Sequence, residues 1–309
     1  MDIFCVSGRI KALEKTFLTA YDISGIMNAK TIDEAAAILN ERIYQVPQKV
    51  SSPDDILNIF NNTTIGLVEE MSKSLPKELY QFFLLPYTFH NIKLIIEYYR
   101  TGKENKNYLL YASVDYFTIK DALEKNNFKE IPLYVKPLVE FVLKNRDIKN
   151  IMLLAKNVYW NIAQNLVMTQ NSDFINGYIK TEIDLSNIGL FLQQQVADIS
   201  LDIDIFIEGG RIKNERFIRE DVLWNTVNMI YAGVKTPVSI HEYDNVKYDL
   251  AIDYLKNARV IPFGIDTIFA YFAARIIEID NLRRLLLGKF YNIDTSNMED
   301  WVWPAYQYV

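Results

Sequence analysis

The side chains whose types could do chemistry are few. Two histidines, His90 and His241, and one cysteine, Cys5, stand in a chain of 309 residues. One thiol excludes an internal disulfide, and three such residues far apart make no Cys/His zinc cluster. Neither histidine has a serine, a cysteine or a paired carboxylate in a recognisable relation to it, and an isolated histidine caps or packs more often than it catalyses. Asp198, Asp202, Asp204 and Glu208 are a conspicuous acidic group. Apolar residues alternate through them and no calcium-loop spacing is met, so they read as a solvated face. Gly288-Lys289 lacks the upstream glycine of a phosphate loop, and Glu208-Gly-Gly-Arg211 has neither its spacing nor its Lys-Ser/Thr pair. The expectation is a chain with no catalytic residue, no cofactor and no metal.

What remains is the chemistry of hydrogen bonding. Asn91, Asn187 and Asn281 recur 96 and then 94 residues apart, each inside an apolar helical pattern: LLPYTFHNIKLIIEYY, TEIDLSNIGLFLQQ and IIEIDNLRRLLLGK. Apolar residues stand at −4 (Tyr87, Ile183, Ile277), −2 (Phe89, Leu185, Ile279), +1 (Ile92, Ile188, Leu282), +4 (Ile95, Phe191, Leu285) and +5 (Ile96, Leu192, Leu286). On a helix these positions surround the asparagine with apolar stripes, so each amide is expected to be buried. A buried amide needs partners, and holding a loop or a helix end is the role that supplies them. Asp280 and Arg284 are spaced for an i,i+4 pair. For the remaining charges a solvated helix edge competes with a contact role.

The elements that must position these groups are helices. Gly (11) and Pro (9) are scarce for the length, and the stretches between them are rich in helix formers. Thr31-Ile-Asp-Glu34 has capping-box form, and Ser52-Pro53-Asp54-Asp55 offers an N-cap serine, a proline at the first helical position and acid in the first turn. The fold class expected is all-α. The repeat divides the chain into three helical lobes of about 95 residues: 45–140, 141–235, and 236–309 closed by 1–44. Only 28 residues follow Asn281, too few for a lobe, so the N-terminal segment is expected to complete the third. Gly-Arg-Ile-Lys at 8–11 and again at 210–213 agrees with that closure.

A net charge of −6 and the lack of a long basic block argue against nucleic acid as a partner. The N-terminal MDIFCVSGRIKALEK has no signal-peptide core, and no apolar run nears the ~18 residues of a membrane span. A soluble or peripheral protein of a reducing compartment is expected. The C-terminal WVWPAYQY is either a contact patch or packing against the last lobe.

The stretches IFAYFAARIIEIDNLRRLLLGK (268–289), FIEGGRI (206–212) with the helix 182–192 before it, and GRIKALEKTFLTAYDIS near the N-terminus together resemble the C subunit of bacterial and archaeal V-type (A-type) ATPases. The eukaryotic counterpart is the d subunit. The most specific element is Glu278, Asn281, Leu282 and Arg283 followed by Gly288 and Lys289. The first repeat departs in having Thr88 and His90 where the others keep an acid, and Asp115-Tyr-Phe-Thr where the middle one is followed by paired glycines; the third carries an extra Arg284. The resemblance implies a funnel of three lobes with pseudo-threefold symmetry on the cytoplasmic side of the membrane. Its partners would be the central-stalk subunits and the membrane rotor ring, between which it transmits torque without bond chemistry. Arg283, Arg284, Lys289 and Arg211 are the candidate contacts. The alternatives are a helical-repeat scaffold binding another protein and an enzyme built in a helical bundle.

Overall fold

The computed structural model describes residues 2–46, 49–145, 150–197, 205–231, 234, 237, 240–295, 298, 302 and 306, with 196, 197, 240 and 241 described by backbone alone. Among the described residues the chain is all-α and contains no strand. The helices are α1 (Ile3–Leu13), α2 (Ala20–Asn28), α3 (Ile32–Asn40), α4 (Pro53–Ser74), α5 (Lys77–Thr101), α6 (Tyr116–Lys125), α7 (Lys136–Asn145), α8 (Ile151–Met168), α9 (Asp173–Ala197), α10 (Glu220–Ile230), α11 (Ile240–Lys256) and α12 (Ile265–Phe290).

Local sequence chemistry sets their ends. Ser52 and Asp55 close a reciprocal capping box on α4 with Pro53 at its start, and Thr19 and Asp22 do the same on α2. At α3 the Thr31 hydroxyl accepts from Glu34 N, while the Glu34 carboxylate reaches back to Lys30 N at 2.8 Å. One N–H is thus satisfied a residue earlier than a capping box would place it. Helix α5 ends on Gly102 at φ 69, the left-handed cap that frees the chain to turn.

The chain forms two compact units, Met1–Leu75 with Tyr231–Val309, and Pro76–Ile230. The first is built around α12, which packs against α4, α1, α11, α3 and α2. That helix is apolar on nearly every side, as Ile268, Phe269, Ala270, Phe272 and Ala274 show by complete burial. An all-round apolar helix belongs at the centre of a core. In the second unit α8 packs against α5, α7 and α9, and α6 bridges α5 and α7. The cut at Leu75 puts α4 with the two ends of the chain.

Both ends of the chain meet in the first unit. Gly264 N donates to the Ser7 hydroxyl (3.0 Å), Lys11 Nζ to Arg259 O (3.2 Å), Lys289 Nζ to Ala29 O (2.8 Å) and the Thr295 hydroxyl to Met27 O (3.4 Å).

Candidate functional site: buried clamps on three helices

Asn91 on α5 and Asn187 on α9 are completely buried, and Asn281 on α12 is 3% exposed. Asn187 grips a single residue from both sides: its Nδ2 donates to Ile207 O and its Oδ1 accepts from Ile207 N, both at 2.8 Å. Asn91 treats Leu109 in the same way, at 3.0 and 2.8 Å, and its Nδ2 also approaches Val114 O at 3.5 Å. The gripped residues lie 18 and 20 positions downstream of their asparagines. An amide presents one donor and one acceptor side by side, so it pairs with a residue's N–H and C=O as a neighbouring strand would. Asn281 also has an interaction partner.

One turn before each asparagine stands a second polar clamp. The Thr88 hydroxyl shares a hydrogen bond with the Ser113 hydroxyl (2.7 Å) and accepts from Ser113 N (3.2 Å). Asp184, fully buried, accepts from Arg211 N (3.1 Å) and Ile212 N (3.0 Å). Glu278 accepts from Leu18 N at 2.7 Å. Residues at −3 and 0 lie on one helix face, so on α5 and α9 the pair holds two points of the same loop. That polar spacing was visible in the sequence; the loops it holds were not.

Paired glycines let the middle loop come close. A Cβ on Gly210 would stand 2.1 Å from Asp184 Oδ1, and Gly209 has φ +99 with the Gln164 side chain against it. Gln164 Nε2 donates to Glu208 O at 3.1 Å, fixing the far side of the turn.

The third helix carries a buried charge network that sequence reasoning missed. Arg275, 1% exposed, forms an ion pair with Glu278 and donates to the Thr16 hydroxyl at 2.8 Å. Its guanidinium lies 3.8 Å from the centre of the Phe17 ring. The Tyr44 hydroxyl donates to Glu278 at 2.5 Å. Burial works against the guanidinium's charge, but Glu278, Tyr44 and Tyr271 together outweigh it and hold Arg275 above its ordinary value. Burial, reinforced by the Glu278 carboxylate, pushes the Tyr44 phenol well above its ordinary value, so it stays a donor. Thr16, Leu18 and Tyr44 come from the N-terminal segment, and the network fastens that segment to α12.

The candidate contact residues divide. Arg283 pairs with Asp280 at 3.2 Å, an i,i+3 ion pair on α12. Arg284 is exposed, with its guanidinium 5.9 Å from the Tyr248 ring. Lys289 is engaged by Ala29 O, and burial pushes its amine down. Arg211 holds Asp184 through its backbone N–H and donates from its guanidinium to Gly177 O at 3.2 Å.

Cys5 is a free, exposed thiol. His90 is bonded to Asn107 O at 2.9 Å, and the His241 side chain lies outside the described residues. Asp198, Asp202 and Asp204 lie outside them too, as do all but Val302 and Tyr306 of the C-terminal aromatic stretch. Among the described residues no group of three His, Cys, Asp or Glu side chains could hold a metal, and no helix is long and apolar enough to cross a membrane.

The buried Asn91, Asp184, Asn187 and Glu278 are occupied in holding the chain's own loops to its own helices. The chain belongs to the family described as ATP synthase (C/AC39) subunit, which it matches over residues 6–300. It is similar to the C subunit of the A-type ATP synthase of Methanocaldococcus jannaschii, with 20% identity over an alignment of 331 positions that takes in 93% of this chain and 83% of that one.

Proposed function

We propose that this protein is a non-catalytic rotor adaptor of a V/A-type rotary ATPase. In this reading it is a socket on the cytoplasmic face of the membrane, between the central-stalk subunits and the membrane rotor ring, and it passes torque from one to the other. Family membership across nearly the whole chain carries the reading. The buried clamps support it, because an element that transmits torque must keep its loops fixed to its helices under load. Clamps of one design on α5 and α9, with the buried Asn281 and Glu278 at the same spacing on α12, also support a division into three lobes, one around each asparagine.

A molecule of net charge −6 favours a stalk foot with basic groups, and such attraction is screened over ~10 Å at 0.1 M salt. The purified chain should bind central-stalk subunits at low salt, bind them less tightly at high salt, and hydrolyse no nucleotide by itself. Failure to form a complex at low salt, or nucleotide turnover by this chain alone, overturns the proposal.

A further inference from the structure

We propose that a groove along the C-terminal half of α5, in the second unit, docks a helix of a neighbouring subunit that presents acid, base and acid over two turns. The groove measures about 550 Å³ and is lined by His90, Lys93, Leu94, Glu97 and Arg100 of α5 with Met152 at the start of α8. The spacing of 90, 93/94, 97 and 100 alternates threes and fours, as does the seam along which one helix accepts another. Leu94 is buried and supplies an apolar floor, while Glu97 and Arg100 are exposed at the rim.

The charges of this seam are unused. Lys93 and Glu97 stand at i,i+4 and Glu97 and Arg100 at i,i+3, distances at which helix charges ordinarily pair. Among the described residues none of the three side chains forms an ion pair or a hydrogen bond; Lys93 meets only the face of the Phe89 ring, 5.5 Å away. Lys93 is half-buried, and burial pushes its amine below the ordinary value. A half-buried cation that pairs with no acid is unfavourable, and an arriving carboxylate would remove that cost. His90 is held in place by Asn107 O. Lys103 and Lys106, in the loop after α5, add exposed positive charge, while the nearby Glu104 is taken by Lys120 at 3.3 Å.

This patch is therefore basic on a molecule of net charge −6, and it selects an occupant of opposite character. Lys93 and Arg100 are seven residues apart, ~10.5 Å along the helix axis at 1.5 Å per residue. Acids at i and i+7 of a partner helix have that same separation, and a base between them meets Glu97. The inference rests on the adaptor reading only in taking the partner to be another subunit of the assembly.

The test uses the full chain and two synthetic amphipathic helical peptides of equal composition elsewhere. One carries Glu, Lys and Glu at i, i+4 and i+7, and the other exchanges the signs. Fluorescence anisotropy at low salt should show the first binding roughly tenfold or more tighter. The chain with Lys93→Glu, Glu97→Lys and Arg100→Glu should reverse the preference. Should that variant fail to fold, Glu97→Lys with Arg100→Glu changes only exposed side chains and should abolish the discrimination. Equal binding of the two peptides, a preference that survives charge reversal, or binding to phosphatidylserine vesicles but to neither peptide overturns the proposal. A chain that assembles with stalk subunits yet shows no peptide preference sinks the groove and leaves the adaptor reading standing. A chain that discriminates between the peptides yet forms no stalk complex does the opposite.

Discussion

Replacing Asn187 by leucine removes one clamp with almost no change in side-chain size. Ile207, the residue it grips, is 2% exposed, so neither its N–H nor its C=O can turn to water. Each buried group left without a partner costs ~1–3 kcal/mol, or ~2–6 for the two. Burying a leucine in place of the amide returns about 1.5–3 kcal/mol. A net loss of ~1–3 kcal/mol is expected, concentrated where the loop meets α9. Amide hydrogen exchange reads this locally: ~2 kcal/mol less protection corresponds to roughly thirtyfold faster exchange at the Ile207 N–H. Asn91→Leu should cost less, because Leu109 is only half-buried and solvent can replace part of what is lost. Unchanged Ile207 exchange together with unchanged urea stability would refute the reasoning, since the amide would then be a passive occupant of its cavity. An effect at Asn91 larger than at Asn187 would refute its dependence on burial.

Gly210→Ala should lower the melting temperature by displacing the Asp184 carboxylate from the two N–H groups it accepts from, at ~1–3 kcal/mol; equal stability would mean that the loop gives way without strain. Glu278→Gln should cost ~3–5 kcal/mol because it leaves the Arg275 guanidinium buried and unbalanced, and the double change with Arg275→Met should recover part of that loss in calorimetry. A double variant no more stable than the single one would show that Glu278 acts through Leu18 and Tyr44 alone.

The helices and their buried asparagines were legible because their signals are local. Ser52, Pro53 and Asp55 lie within four residues of one another, and the stripe around each asparagine repeats with the helix period. The burial of Asn91, Asn187 and Asn281 follows from that period alone. The partners were not legible, because nothing in the spacing of α9 says that its Asn187 will meet Ile207 or its Asp184 the N–H of Ile212. The Arg275 network was hidden for the same reason. Thr16, Leu18 and Tyr44 are more than 230 residues away, and an arginine in an apolar stretch shows its charge but not what will neutralise it. The charges of Lys289 and Arg211 are plain in the sequence; their bonds to Ala29 O and Gly177 O depend on which loops fold beside them.

The fastening of the N-terminal helices to α12 sets the order in which the molecule can be made. Helices α1 to α4 leave the ribosome well before α12, and the carboxylate that accepts from Leu18 and the apolar helix they pack around are synthesised some 260 residues later. The second unit, Pro76–Ile230, is a continuous stretch and is complete before then. It can therefore fold while the first quarter of the chain still waits with Phe17, Leu18 and Phe60 uncovered, residues that are fully buried at the end. Contacts of such long range are slow to close, and apolar surface exposed in the interval invites association with other chains. The architecture that joins the two ends most firmly in the finished protein leaves its beginning most in need of protection during synthesis.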